Sequence, residues 1–368
     1  MRPASDAERA RLNDLFVELC RIPSPFGREA DVSARVRREL EAVGLTAEAD
    51  ARGNLLTRIR GRSDRTVLLC AHLDTVEVHG EIEPVVVEGG WENANDTILG
   101  ADNKAAVAVF LEVARRASVE GSPVALELLL TVEEEDGLAG AKAFDASQLR
   151  ADFGYVFDHA TPIGEIVTAS PTYYRLSAEF HGRAAHAGIR PEAGRSAILA
   201  AALAIAAMPH GRVDEQTTTN VGSIQGGSGS TNVVPERCRL LAEARSLDAD
   251  RAEQVVARMI DAVYDGAGAA ECDVDVVCEK LFDGYRRKGT APAIAAAEAA
   301  LRTCGYEPSR IVTGGGSDAN ALAVKGIECV NLANGTEHNH EPTERVSVAA
   351  LEGMLDVCLA LLDESAAV

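Results

Sequence analysis

Three apolar runs of strand length in this chain each stop abruptly at a cluster of acids or at histidine. Residues 66–71 run into His72-Leu73-Asp74, residues 124–132 into Glu133-Glu134-Glu135-Asp136, and residues 155–157 into Asp158. Short apolar runs rich in Val, Leu and Thr suit strands buried on both faces. A further strand is expected at 54–60, and helical apolar spacing marks residues 7–20, 28–43 and 104–117. Strands and helices in turn predict an α/β fold with a mostly parallel sheet covered by helices. Such sheets place their chemistry beyond the carboxyl ends of the strands. That is where the polar clusters fall.

Between residues 172 and 283 the pattern changes. Strand signals at 173–181, 217–226, 233–246 and 272–281 frame two helical stretches, 196–208 and 251–264. Four strands and two helices in this order predict a compact α+β unit. The first style then resumes, with helices at 291–304 and 348–362 and strands at 311–313 and 329–332. The expectation is a discontinuous domain, 1–171 with 284–368, interrupted by an inserted one, 172–283. A chain of 368 residues is long enough for both cores.

Charge excludes some partners. A formal net charge of −21 argues against nucleic acid and anionic membrane, both of which need a basic surface. The longest apolar stretches, such as 197–208, fall short of the ~20 residues of a membrane span. The first twenty residues carry charges throughout and no apolar signal core, so a cytoplasmic protein is expected. Eight scattered cysteines with no CxxC are expected to be reduced thiols.

Taken singly, each polar cluster has an ordinary explanation. His72 could be a satisfied core histidine, and Asp102, just before a helix, could be its N-cap. Glu133–Asp136 could be a solvated turn, although adjacent acids at a buried strand end oppose one another without a cation. Asp158 ends a strand, and His340 lies in a polar loop before the last helix. Their order and spacing are harder to explain away.

The runs His72-Leu73-Asp74-Thr75-Val76, Ile98-Leu99-Gly100-Ala101-Asp102-Asn103-Lys104 and Thr131-Val132-Glu133-Glu134-Glu135-Asp136-Gly137-Leu138 resemble the co-catalytic zinc exopeptidases. That family includes peptidase T, carboxypeptidase G and the aminoacylases. Gly182-Arg183-Ala184-Ala185-His186-Ala187-Gly188, Thr231-Asn232-Val233-Val234-Pro235, Gly315-Gly316-Ser317-Asp318 and His338-Asn339-His340 extend the likeness over nearly the whole chain. The peptidase-T-like subgroup is the most similar.

The resemblance implies His72, Asp102 and Asp158 on one metal, with Asp102 bridging to a second held by Glu135 and His340. Three consecutive glutamates leave the register open. Aligned on Gly137-Leu138, Glu134 is the general base, Glu135 the ligand, and Glu133 lies outside the chemistry. Asp74 would orient His72, and the Asp102–Asn103 bond would be cis. Asn103 stands where relatives often have a second Asp; His159 gains no role, and the segment Val78–Gly80 lacks the usual Pro-Gly. His186 would donate to the tetrahedral oxyanion from a partner subunit, and Asn232 and Arg245 would bind substrate carboxylate or backbone. The inserted domain would be a lid and the seat of a homodimer.

Two imidazoles and several carboxylates suit two divalent metals, zinc first, cobalt or manganese as alternatives. The implied activity is release of residues from di- and tripeptides by the aminopeptidase route. A carboxypeptidase or an N-acyl-amino-acid amidohydrolase would use the same site, and a non-catalytic metal-binding scaffold is the reading from another class.

Overall fold

In the computed structural model, which describes residues 1–368, the chain divides into two compact units. One is Met1–Ala169 with Arg286–Val368, the other Ser170–Tyr285. These limits lie two residues outside the expected 172 and 283.

The first unit begins with α1 (Asp6–Cys20) and α2 (Ala30–Glu41). Ser5 and Glu8 form a capping box at the start of α1. Val32, Val36 and Leu40 recur every fourth residue on α2 and are buried, the pattern of a helix with one face on a core. Strands β1 (Glu48–Ala49), β2 (Leu55–Ile59) and β3 (Thr66–His72) follow, then a hairpin of β4 (Pro84–Val87) and β5 (Gly90–Asn93). The long α3 (Ala101–Glu120) leads to β6 (Ala125–Thr131), the short α4 (Ala139–Ala143), β7 (Phe153–His159) and β8 (Glu165–Ser170).

In the second unit come β9 (Thr172–His181), α5 (Ala197–Ala207), β10 (Gly211–Asp214), β11 (Thr217–Gly226), β12 (Arg237–Ser246), α6 (Ala249–Ala269) and β13 (Asp273–Phe282). The first unit resumes through β14 (Tyr285–Arg286), α7 (Pro292–Thr303), β15 (Ser309–Val312), α8 (Asp318–Val324), β16 (Cys329–Ala333), β17 (Thr336–Glu337), β18 (Arg345–Ser347) and α9 (Val348–Ala367).

The main sheet of the first unit has the order β1-β2-β6-β3-β7-β16-β8-β14, with β15 beside β8. β6, β3, β7 and β16 are mutually parallel at its centre. Their carboxyl ends therefore share one edge. β3 and β6 are buried along almost their whole length, as the uninterrupted apolar runs required. α3 is buried on nearly all sides, and its Ala-rich sequence allows that close approach.

In the second unit β10-β11-β12-β9-β13 form an antiparallel sheet with α5 and α6 against it. The expectation of four strands is corrected to five. The added β10, Gly-Arg-Val-Asp, is too short to carry an alternation and pairs only at the sheet's edge. A side chain on Gly266 would stand 2.6 Å from the Ala200 carbonyl oxygen, which is how α5 and α6 come together. α5 buries Ala197, Ala200, Ala201 and Ala204 and turns Ile198, Leu199 and Leu203 outward, with Leu199 52% exposed. No helix is long and apolar enough to cross a membrane. All eight cysteines are free.

Candidate metal centre

The parallel strands deliver their last residues to one place. His72 closes β3, and its Nδ1 stands 2.9 Å from the Asp74 carbonyl oxygen. A carbonyl only accepts, so Nδ1 carries the proton and Nε2 is the atom turned toward the acids. Nε2 is 3.3 Å from Asp102 and 3.6 Å from Asp158. Burial opposes a charge on His72, but Asp102, Asp158 and Asp74 outweigh it and raise its pKa well above the usual imidazole value.

Asp74 meets the ring first through its backbone; its carboxylate is farther, at 3.6 Å. The two carboxylate oxygens instead accept the backbone N–H groups of Glu134, at 3.0 Å, and Glu135, at 2.9 Å. One buried residue thus fixes both the histidine and the turn that carries two glutamates. That turn packs closely: a side chain on Gly140 would lie 2.0 Å from the Val132 carbonyl oxygen. Glu133 adopts a positive φ of 53° there, and its carboxylate pairs with Arg52.

Asp102 lies at the start of α3, where it and Asn103 leave helical geometry, and the bond between them is cis. Its two oxygens face different histidines: Oδ1 toward His72, and Oδ2 3.4 Å from His340 Nε2. The same His340 nitrogen is 2.8 Å from Glu135. His340 sits in a loop at φ 68° with half its side chain exposed. Hydrogen bonds that its ring N–H donates to Asp102 and Glu135 lift its pKa to about 10. Asp102 itself is held below the usual carboxylate range, because His340 and His72 overcome the cost of burial.

Asp158 precedes the last residue of β7, and its backbone is clasped on both sides by the Asn331 side chain, N–H and carbonyl each at 3.0 Å. Burial raises Asp158 to about 8. Glu134 lies within 4.8 Å of His72 and Asp158, and a second such group joins His72, Asp102 and Glu135. Burial first, then the Asp158 charge, pushes the Glu134 pKa well above its usual value. Beneath them Asp318 accepts from Thr131 and stands 3.7 Å from the Cys70 thiol; burial raises it to about 6.

This donor set fits divalent cations. Carboxylates packed together with only two imidazoles among them oppose one another, as the upward shifts of Asp158 and Glu134 record. Asp102 Oδ1 is buried and makes no hydrogen bond. Cations between these oxygens and imidazole nitrogens would relieve both conditions, and two histidines with carboxylates form a hard-to-borderline set.

The remaining candidates lie in the second unit. His186 is exposed, and its Nδ1 accepts the Gly188 N–H at 3.2 Å, so a neutral ring carries its proton on Nε2. Asn232 is on the neighbouring loop, its carbonyl accepting from Ala187 N–H at 2.9 Å and its side-chain oxygen from Ser230 at 2.5 Å. Arg245, on β12, is held 3.1 Å from both Glu243 oxygens and lies 4.0 Å above the Tyr173 ring. In the first unit, His159 is half-buried at the end of β7, and its pKa is lowered by burial.

Asn331 and Asp318 were not picked out as site residues from the sequence. A lone Asn within an apolar strand was the only signal of the first, and Asp318 read as part of a glycine-rich motif.

Comparison with known proteins agrees with this architecture. A peptidase dimerisation domain model, that of the M20 family, matches residues 172–271, and one for peptidase family M28 matches residues 54–167. The chain is 36% identical to the uncharacterized protein YqjE of Bacillus subtilis, over 97% of this chain and 98% of that one. The crystal structure of the aminopeptidase PepT of Bacillus cereus shares 36% identity, covers 97% of this chain and 99% of its own, and superposes with a TM-score of 0.87. A tripeptidase of Staphylococcus aureus shares 33% identity over 98% and 99% of the two chains, with a TM-score of 0.92. With the ligand-type residues gathered at the carboxyl edge of a parallel sheet and whole-length relatives of this kind, the chain belongs to the peptidase-T-like metallopeptidases of the M20 family.

Proposed function

We propose that this chain is a di-zinc exopeptidase that removes the amino-terminal residue of di- and tripeptides. The observation that carries the reading is Asp102, whose two oxygens face His72 and His340 separately, as a bridging carboxylate must. In this reading His72, Asp102 and Asp158 would hold one metal, and Asp102, Glu135 and His340 would hold the other. Bound metals polarise the scissile carbonyl and bring the pKa of a water down to about 7. Glu134 accepts the proton of the attacking water at its carboxylate and passes it to the leaving amine nitrogen. Asp74 keeps Glu134 and Glu135 in place through their backbone N–H groups.

His186 donates its Nε2 proton to the oxyanion, a role favoured by the tautomer that Gly188 imposes. Asn232 and Arg245 take the substrate's carboxylate or backbone, for which Arg245 exchanges its bonds to Glu243. The second unit pairs two copies into a homodimer. Its open sheet edges and the outward apolar row of α5, Ile198, Leu199 and Leu203, support this. Eight free thiols fit a cytoplasmic setting.

A panel of free and blocked peptides with the metal-reconstituted protein tests the substrate. Free tripeptides are the expected substrates; robust hydrolysis of N-acetylated amino acids, with free tripeptides untouched, would replace the reading by an amidohydrolase. His340→Ala is expected to lower the metal content per chain, because it removes a ligand and leaves the base. Two metals bound with parent affinity would take His340 out of the site. Chelation abolishes activity in the parent, and zinc, cobalt or manganese restores it.

A further inference from the structure

Glu344 is 1% exposed and has no cation within ion-pair distance. Its carboxylate accepts two backbone N–H groups, from Gly100 at 2.7 Å and from Asp102 at 2.8 Å. The buried Lys104 ammonium is spent elsewhere, on the Ile22 carbonyl oxygen at 2.6 Å. A buried carboxyl group satisfied only by amide groups is costly, and it persists where it holds a backbone in place. The backbone it holds is unusual: Gly100 has φ 75°, and residues 102 and 103 depart from helical geometry. These N–H groups therefore do not belong to a regular first helical turn, so a simple helix cap does not describe the contact.

The position of Glu344 in the chain adds the second half of the argument. It closes the loop that carries His340, and its own N–H donates to Glu341 within that loop. A carboxylate rooted in the His340 loop thus grips the turn that carries Asp102. The imidazole and the carboxylate that it joins lie 3.4 Å apart. We infer that Glu344 is a positioning residue that sets the bridging carboxylate of Asp102 against His340, and so fixes the spacing of the two metal positions. The inference rests on the di-metal reading above and adds a residue that touches neither metal nor substrate.

The test compares Glu344→Gln with Glu127→Gln. Glu127 is a control of the same residue type in a different setting: it is buried and accepts backbone N–H groups from Arg150 at 2.8 Å and Ala151 at 3.0 Å, but it also pairs with Arg58 at 3.2 Å and lies outside the metal centre. The readouts are metal affinity by chelator competition and the visible absorption of the cobalt-loaded protein. Glu344→Gln is expected to bind at least one metal equivalent about 10–100-fold more weakly, with a changed cobalt spectrum. Glu127→Gln is expected to lower the melting temperature and leave both readouts at parent values. A Glu344→Gln protein with parent affinity and parent spectrum overturns the inference. Should that variant not fold, Glu344→Asp, which keeps the charge and withdraws it by one methylene, is expected to show the same metal loss. Failure of both to fold while Glu127→Gln folds would assign Glu344 to the fold alone and overturn the proposal. A parent protein that binds no metal would instead sink the di-metal reading itself.

Discussion

Glu134→Gln is expected to retain both metals and to lose about 10²–10⁴-fold in kcat. The amide keeps the shape of the carboxylate and its place among His72 and Asp158, yet it cannot take a proton from water. Because Asp74 holds this turn through backbone N–H groups, the substitution leaves the local frame intact. Glu133→Gln is the matched control. Its carboxylate is committed to Arg52, so near-parent activity is expected. Metal content by elemental analysis and kcat on a tripeptide decide the matter. An active Glu134→Gln with an inactive Glu133→Gln would shift the register by one.

His186→Ala is expected to lose about 10²–10³-fold in kcat with metals retained, the usual effect of removing an oxyanion donor. If the donor acts across a dimer, inactive His186→Ala and inactive Glu134→Gln subunits will complement one another when co-expressed. One site of each heterodimer then has an intact pair. Activity is measured on heterodimers isolated through two different tags, since each homodimer supplies only the residual background. Verified heterodimers without recovery would place His186 within its own chain's chemistry or outside the chemistry altogether.

Much of this site was legible because it sits at strand ends. His72, Glu134, Glu135 and Asp158 each follow an apolar run, and the fold brings those ends together. Periodicity was less informative where elements are short. The β4–β5 hairpin has four residues on each side of a Glu88-Gly89 turn, and β10 has four in all. Position before a helix alone left Asp102 open to an ordinary N-cap; its role and the cis bond after it came only from the family resemblance, and the structure has that cis bond and a turn that breaks helical geometry there. Clasps between distant segments left no local trace. Asn331 holds Asp158 across 173 residues and Glu344 holds Asp102 across 242, and spacing rules reach only a few positions along a helix or strand. The resemblance offers Arg245 as a fork for substrate carboxylate or backbone; its bonds to Glu243, two residues away along the strand, emerged only from the structure.

The chain leaves the main sheet after β8 and re-enters it at β14, two neighbouring strands, and the Arg287 N–H donates to the Thr168 carbonyl oxygen at 2.8 Å. Departure and return are thus stitched together where they lie side by side, and the Gly284 N–H adds a bond to the Thr172 hydroxyl at 2.9 Å. For the sheet, the residues between β8 and β14, 171–284, are equivalent to one connecting loop. Closing a longer loop adds only about 0.6 kcal/mol per doubling of its length, and a folded insert with adjacent ends adds less still. The junction therefore acts as a socket. Segments of different size, lining and pairing surface can be exchanged there over evolutionary time while His72, Asp102, Glu135, Asp158 and His340 stay in the frame that holds them.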